Sequence, residues 1–328
     1  MSYKTIAKAS ETTVSTVSKA FHDSPEISEK TKEKIFNVAK ELGYFEKYYR
    51  GKREKPLIGI ICPEPESETY GMIVGCIEKI LSDEGAEVLI GITRFDRVRK
   101  ADVYSMMIYQ AKADGIIVIG SGADLKNPDK IPTVSITEGN EYASSESEIA
   151  VNIKNTMEEL VLFLKKESYR RVGFIGEKLT ESRLEAFKSA MRKEGLPLLN
   201  DYIYISNSSR FADAGVEGMS SFIKNGNIPE VIITAYDNIA FGAMKTAKEN
   251  GLQVPDDVSF IGINDISPSE YMDVPLSSIE TNYAETAKAA ADLILSQIKN
   301  KYGTVKKRCP VISARLNLRK SLKTKNEK

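Results

Sequence analysis

From Thr13 the chain reads Thr13-Val14-Ser15-Thr16-Val17-Ser18-Lys19, four hydroxyls and one ammonium in seven residues with no acid among them. Placed on one helix, such a set suits the major groove of a nucleic-acid duplex. Base edges there offer donors and acceptors, and the flanking phosphates offer anionic oxygen. Val14, Ser15 and Lys19 are expected to face base edges, while Thr13, Ser18, Ser28 and Thr31 hold phosphates. His22, the only histidine of the chain, closes the same helix and joins the DNA-facing set.

These side chains need a frame, and residues 5–44 supply three short helices. Thr5 is expected to open the first, with Ile6 inward. The second runs from about Val14 to His22 with Thr13 as its cap, and Val14, Val17, Ala20 and Phe21 recur at helical spacing. The third follows Ser28, whose hydroxyl can cap it, with Glu29 near the positive helix end. Ile35, Val38, Ala39 and Leu42 form its apolar stripe, and Gly43 stands where a left-handed C-cap is wanted. So few apolar side chains make a marginal core, and a plain three-helix module fits the spacing as well. The exposed chemistry separates the two readings.

Charge points the same way. The whole chain of 328 residues is formally neutral, but residues 1–56 hold twelve basic and eight acidic side chains, leaving +4 there and −4 on the rest. A basic arm on an acidic body is the footprint of a protein that touches phosphate with one end. Residues 46–56 read as a basic linker, with Tyr49, Arg50 and Lys52 as its DNA contacts or, alternatively, as a solvated tether. There is no apolar leader, and no apolar run approaches the roughly 20 residues of a membrane helix. Cys62, Cys76 and Cys309 have no metal spacing and read as reduced thiols of a cytoplasmic protein.

From Leu57 the pattern alternates between strand and helix. Leu57–Cys62, Val88–Ile92, Gly115–Gly120 and Thr133–Ile136 are strand-sized apolar runs separated by helical stretches. The rhythm restarts with a helix at about 153–167 and strands at 171–176, 202–205, 231–234 and 258–263. The fold class expected is α/β, with two doubly wound, Rossmann-like lobes behind an all-α helix-turn-helix domain, and a ligand cleft between the lobes.

The combination of Thr13–Lys19, Ile27-Ser28-Glu29-Lys30-Thr31 and Leu42-Gly43-Tyr44 resembles the DNA-binding headpiece of the LacI/GalR family of bacterial repressors. Tyr236-Asp237-Asn238-Ile239-Ala240-Phe241-Gly242-Ala243, Gly251–Ser259 and Gly262-Ile263-Asn264-Asp265 resemble the effector-binding core of the same family. That core is similar in fold to periplasmic sugar-binding proteins. The resemblance covers residues 5–318. Three headpiece positions depart from the family pattern: Glu11 replaces the turn glycine, Thr12 a buried valine and Lys19 an arginine. The linker lacks the family's hinge-helix pattern, so charge is expected to be its main contribution.

What the resemblance implies is a homodimeric repressor on a near-palindromic double-stranded operator, responsive to a small sugar or sugar derivative, with no cofactor and no membrane. Five effector contacts are implied. Arg183 stands at the R-x-x-G-aromatic position, although Ala186 replaces the glycine, and is a ligand contact or a surface salt bridge. Asn264 replaces an aspartate and is a ligand amide or a turn residue. Tyr236 stacks on a sugar or packs. Asp237 caps a helix or touches ligand, and Thr137 stands where some relatives carry a cleft carboxylate. The expected divisions are headpiece 1–45, linker 46–56 and core 57–318, with a disordered charged tail at 319–328. Within the core, lobe one takes 57–150 plus 282–310 and lobe two 151–281 plus 311–318.

Enzyme readings find little support. Gly120-Ser121-Gly122 follows a strand, but Leu125 fills the third glycine position of the dinucleotide fingerprint. There is no phosphate-loop motif and no G-x-S-x-G, and the single histidine lies in the headpiece. A sugar-processing α/β enzyme or a pure binding protein with accessory helices are the rivals, and DNA affinity of the N-terminal segment discriminates them.

Overall fold

The computed structural model describes residues 2–22, 24–44, 55–127, 130–138, 147–299 and 311–324. It divides into two compact units, residues 1–56 and 57–328. The linker contacts Tyr49, Arg50 and Lys52, and Cys309, lie outside the described residues.

In the first unit α1 spans Tyr3–Ala9, α2 Val14–Phe21 and α3 Glu29–Glu41. The first helix begins at Tyr3 rather than at Thr5, which is exposed within it. Aromatic packing explains the earlier start. The Tyr3 ring stacks on Phe21 at 5.4 Å and leans on Tyr44 at 5.8 Å, and Phe21 meets Phe36 edge-on at 5.2 Å. Ile6, Ala7, Val17, Ala20, Ile35 and Ala39 fill the centre. Both expected caps form: the Thr13 hydroxyl accepts from Thr16 N–H at 3.0 Å, and the Ser28 hydroxyl from Thr31 N–H at 3.3 Å. Gly43 is left-handed at φ +63°, and so is Glu11, at φ +54°, in the turn between α1 and α2. Thr12 sits half-buried with its hydroxyl 2.8 Å from that of Ser10, a polar pair at the turn.

The second unit holds two six-stranded sheets. Lobe one contains β1 (Leu57–Cys62), α4 (Glu68–Asp83), β2 (Glu87–Ile92), α5 (Arg97–Ser105, continued as a π-helix over Met106–Gln110), β3 (Gly115–Ile119), β4 (Thr133–Glu138) and β5 (Glu148–Asn152). Lobe two contains α6 (Ile153–Lys166), β6 (Val172–Glu177), α7 (Glu181–Glu194), β7 (Ile203–Ser206), α8 (Phe211–Lys224), β8 (Val231–Thr234), α9 (Asp237–Glu249), β9 (Ser259–Asn264) and β10 (Ser277–Glu280). The chain then returns through α10 (Tyr283–Lys299), which packs against α4 in the core of lobe one. It ends with β11 (Val311–Ser313) and β12 (Arg315–Asn317). The sheet orders are β11-β5-β4-β3-β1-β2 and β12-β10-β9-β8-β6-β7, and only β12 runs antiparallel. Strands such as β3 and β6 are buried along their whole length, because helices cover both faces of a doubly wound sheet. Each fully buried isoleucine or leucine there contributes about 1.5–3 kcal/mol relative to exposure.

Two expected boundaries shift. Residues 311–313 add to the sheet of lobe one beside β5, not to lobe two, and the chain crosses only at 315–317. Residues 319–324 are not a free tail. Arg319 ion-pairs with Asp265, the Ser321 hydroxyl donates to Phe260 carbonyl at 2.7 Å, and Leu322 is buried in the lobe-two core. Ser321 and Leu322 stand among the charges, and the first residues of β9 and β10 capture Ser321. Strands β5 and β10 are also additions to the expected set. In β10, Ser277 and Ser278 are buried polar residues satisfied by Arg319 carbonyl and Asp237, so no apolar run announces the strand. Among the described residues no helix is long and apolar enough to cross a membrane.

Candidate functional site

On the headpiece, α2 presents Val14, Ser15 and Lys19 to solvent, with Ser18 half-buried beside them. Val14 is 43 % exposed, a large apolar side chain left at the first turn of a helix whose inward positions are already filled by Val17 and Ala20. The N-termini of α2 and α3 carry Thr13 with Thr16 and Ser28 with Thr31 as hydroxyl pairs, each 2.8 Å apart. Helix N-termini with exposed hydroxyls favour phosphate oxygen. Two of the expected contacts are already engaged: Lys19 pairs with Glu26, and His22 Nδ1 lies 2.7 Å from the Ser18 carbonyl. The Lys19–Glu26 pair is solvent-exposed and therefore weak, so a base edge can displace it.

In the core, strand ends build a cleft between the lobes. Glu64 follows β1, Phe95 follows β2 and Glu138 ends β4, all in lobe one. Glu177 ends β6, Arg210 and Phe211 precede or open α8, Tyr236 follows β8 and Asn264 ends β9, all in lobe two. These are carboxyl ends of parallel strands, the standard place for a ligand crevice in such sheets. The remaining cavity is about 90 Å³, because ion pairs across the lobes close it. Arg183 Nε and Nη2 donate to the Glu138 carboxylate at 2.8–3.1 Å, Nη2 reaches Asn264 Oδ1 at 2.9 Å, and Nη1 reaches the Ala235 carbonyl at 2.6 Å. Arg210 donates through Nη1 and Nη2 to Glu64 at 2.5 and 2.8 Å and through Nε to Glu177 at 3.1 Å. Its guanidinium also lies 4.6 Å from the Phe211 ring and 5.5 Å from the Phe95 ring. Hydrogen bonds donated to Glu64 raise the Arg210 pKa above its ordinary value despite burial. Burial pushes the phenols of Tyr70 and Tyr236 up, so both stay neutral. The Tyr236 hydroxyl accepts from Phe211 N–H at 3.0 Å.

Arg183, Tyr236 and Asn264 thus meet in one cleft. Asp237 and Thr137 do not, and both are corrections. Asp237 is fully buried, with its carboxylate accepting from Ser278 Oγ at 2.5 Å and Ile266 N–H at 2.7 Å. It ties the loop after β9 to β10, neither capping its own helix nor facing ligand. Burial pushes its pKa up to about 7. A Cβ on Gly262 would fall 1.9 Å from its Oδ1, so the glycine makes room for the carboxylate. Thr137 bonds to Glu148 and lines a separate cavity with Thr133 and Ser135. Side chains alternate along a strand, so the β4 residue that enters the cleft is its neighbour Glu138. Glu64, Phe95, Glu177, Arg210 and Phe211 were not anticipated. One signal was available: each lies at or just after the end of an apolar run, where charged or aromatic residues are otherwise unexplained.

A helix-turn-helix unit joined to a two-lobed α/β core with its cleft at the strand ends defines a DNA-binding regulator with a small-molecule receptor domain. Residues 3–46 match the model for bacterial regulatory proteins of the lacI family, and residues 161–322 match that for a periplasmic binding protein-like domain. The chain thus carries a lacI-family DNA-binding domain and a periplasmic binding protein-like domain. It is 25% identical to the HTH-type transcriptional repressor CytR of Escherichia coli (strain K12) over 312 residues, 91% of this chain and 90% of that one. It is also 25% identical to the ribose operon repressor of Haemophilus influenzae, over 90% of this chain and 92% of the relative. In fold it matches the lac repressor dimer bound to operator and an anti-inducer, at a TM-score of 0.70 and 18% identity, covering 96% of this chain and 97% of that one.

Proposed function

We propose that the protein is a homodimeric, cytoplasmic repressor that binds a near-palindromic operator and changes its DNA affinity when a small sugar-like effector enters the interlobe cleft. The observation that carries this reading is the cleft itself. Arginine, amide and carboxylate groups are poised to exchange hydrogen bonds with hydroxyls, and Tyr70, Phe95, Phe211 and Tyr236 offer faces for a sugar ring. One headpiece offers few base contacts, and a dimer doubles them over two half-sites. Effector and operator are then coupled by the difference in effector affinity between free and DNA-bound protein.

The test has two arms. Operator sequences are selected from random DNA with the full chain, and Lys19→Ala is compared on the selected and on random duplexes. Loss of a base contact costs about 1–3 kcal/mol on the specific site alone, and equal weakening on both duplexes refutes the assignment. A thermal-shift screen of carbohydrates then identifies the effector by mass action. Arg183→Gln is expected to abolish the shift, and a response confined to compounds without hydroxyls refutes the sugar reading.

A further inference from the structure

Arg183 and Arg210 are the only basic side chains among the described residues that line the cleft. Each already faces carboxylate: Arg183 holds Glu138, and Arg210 holds both Glu64 and Glu177. Three carboxylates on two guanidiniums leave one negative charge in excess. The lobes also contribute unequally. Lobe one brings Glu64 and Glu138 and no base, whereas lobe two brings both arginines and Glu177. Glu64 and Glu177 are 5 % and 3 % exposed, so neither carboxylate can turn to solvent while the cleft is closed.

We infer that the effector is a neutral or amine-bearing hydroxylated compound and that phosphorylated or carboxylated ligands are excluded from the closed cleft. The inference rests on the cleft's being the effector site and adds the charge class of its ligand. A hydroxyl donates to carboxylate and accepts from guanidinium, so a neutral polyol inserts between each ion pair and leaves both charges compensated. An amine neutralises the excess charge. An anion instead takes a guanidinium away from a buried carboxylate, which then stays charged, in a poorly solvated cleft, beside the newcomer. Glu64 and Glu177 are therefore specificity-determining residues that act by occupying Arg210.

Inorganic sulfate, titrated into the full chain at constant ionic strength in thermal melts, tests this without knowledge of the effector. The wild type is expected to show no saturable rise in melting temperature. Glu64→Gln leaves Arg210 with one carboxylate and is expected to gain a saturable rise of about 2 °C or more, which Glu64→Gln combined with Arg210→Met loses again. Should Glu64→Gln fail to fold, Glu138→Gln frees Arg183 in the same way at a more exposed carboxylate. Saturable sulfate binding to the wild type that Arg210→Met abolishes, or no gain in a folded glutamine variant, overturns the inference. Failure of the regulator reading shows separately, as absence of sequence-selective DNA binding.

Discussion

Arg210 and Glu64 are predicted to hold the lobes together, and a double-mutant cycle measures by how much. Two guanidinium nitrogens meet the two Glu64 oxygens at 2.5 and 2.8 Å, which is the bidentate geometry that favours Arg–carboxylate pairs. With charge centres about 4 Å apart and an effective dielectric near 20, the attraction is about 4 kcal/mol. Dehydration of a carboxylate whose side chain is 7 % exposed offsets part of that, so a coupling of about 1–3 kcal/mol is expected. The two single variants are not equivalent. Glu64→Gln leaves Arg210 paired with Glu177, whereas Arg210→Ala strips partners from Glu64 and Glu177 together and is expected to cost about 3–5 kcal/mol.

The assay is urea unfolding of the core transition, followed by tyrosine fluorescence because the chain has no tryptophan. Small-angle scattering is run in parallel, where Arg210→Ala is expected to enlarge the core as the lobes part. Burial of Glu64 makes the coupling less sensitive to salt than that of the exposed Lys248–Asp273 pair. If the two single variants add to within about 0.5 kcal/mol and the scattering does not change, the guanidinium does not hold the lobes closed and the argument fails.

Two further outcomes follow from the same structure. Glu11→Gly relieves a left-handed backbone at φ +54° but adds freedom to the unfolded chain, so the headpiece transition is expected to gain up to about 1 kcal/mol; a loss of stability shows that the Glu11 side chain, 3.6 Å from Lys34, matters more than its backbone. For Asp237 the folded pKa, about 7, lies above its ordinary 3.8. The protonated form therefore favours the fold, and its stabilising effect is full below 3.8 and lost as pH rises through about 7. Unfolding free energies of the wild type minus those of Asp237→Asn, from urea titrations, are expected to fall across that window, with a slope of up to about 1.4 kcal/mol per pH unit. A flat difference means that the buried carboxyl is not protonated in the fold.

The parts of this protein that are legible in its sequence are those set by local rules. Thr13 and Ser28 cap helices because a hydroxyl before a helical stripe has a nearby N–H to accept from. Gly43 is left-handed because a helix must end there. Central strands such as β1, β3 and β8 are apolar runs because both faces are covered. The cleft is different. Arg183, Tyr236 and Asn264 were found through a motif that resembles a family, and no periodicity points to them. The resemblance points to Thr137, whereas its neighbour Glu138 lines the cleft, since one residue of register exchanges the faces of a strand. Asp237 adjoins Tyr236 in sequence, yet the space left by Gly262 admits its carboxylate to the interior. Glu64 and Arg210 are 146 residues apart, and nothing local to either announces the other.

One property of the cleft appears only when backbone and side chains are taken together. Phe95 at φ +60°, Phe211 at φ +53° and Asn264 at φ +104° all hold left-handed backbone, which is costly for bulky rings and persists where the surroundings over-determine it. Here the surroundings are identifiable. The Arg210 guanidinium lies between the Phe95 and Phe211 rings, Tyr236 accepts the Phe211 N–H, and Arg183 holds the Asn264 side chain. The same two arginines that cross the cleft therefore also restrain its strained corners. A ligand that takes over their carboxylates changes the restraint on residues 95, 211 and 264 at once. A ligand seated between these ion pairs is therefore expected to act on backbone belonging to both lobes.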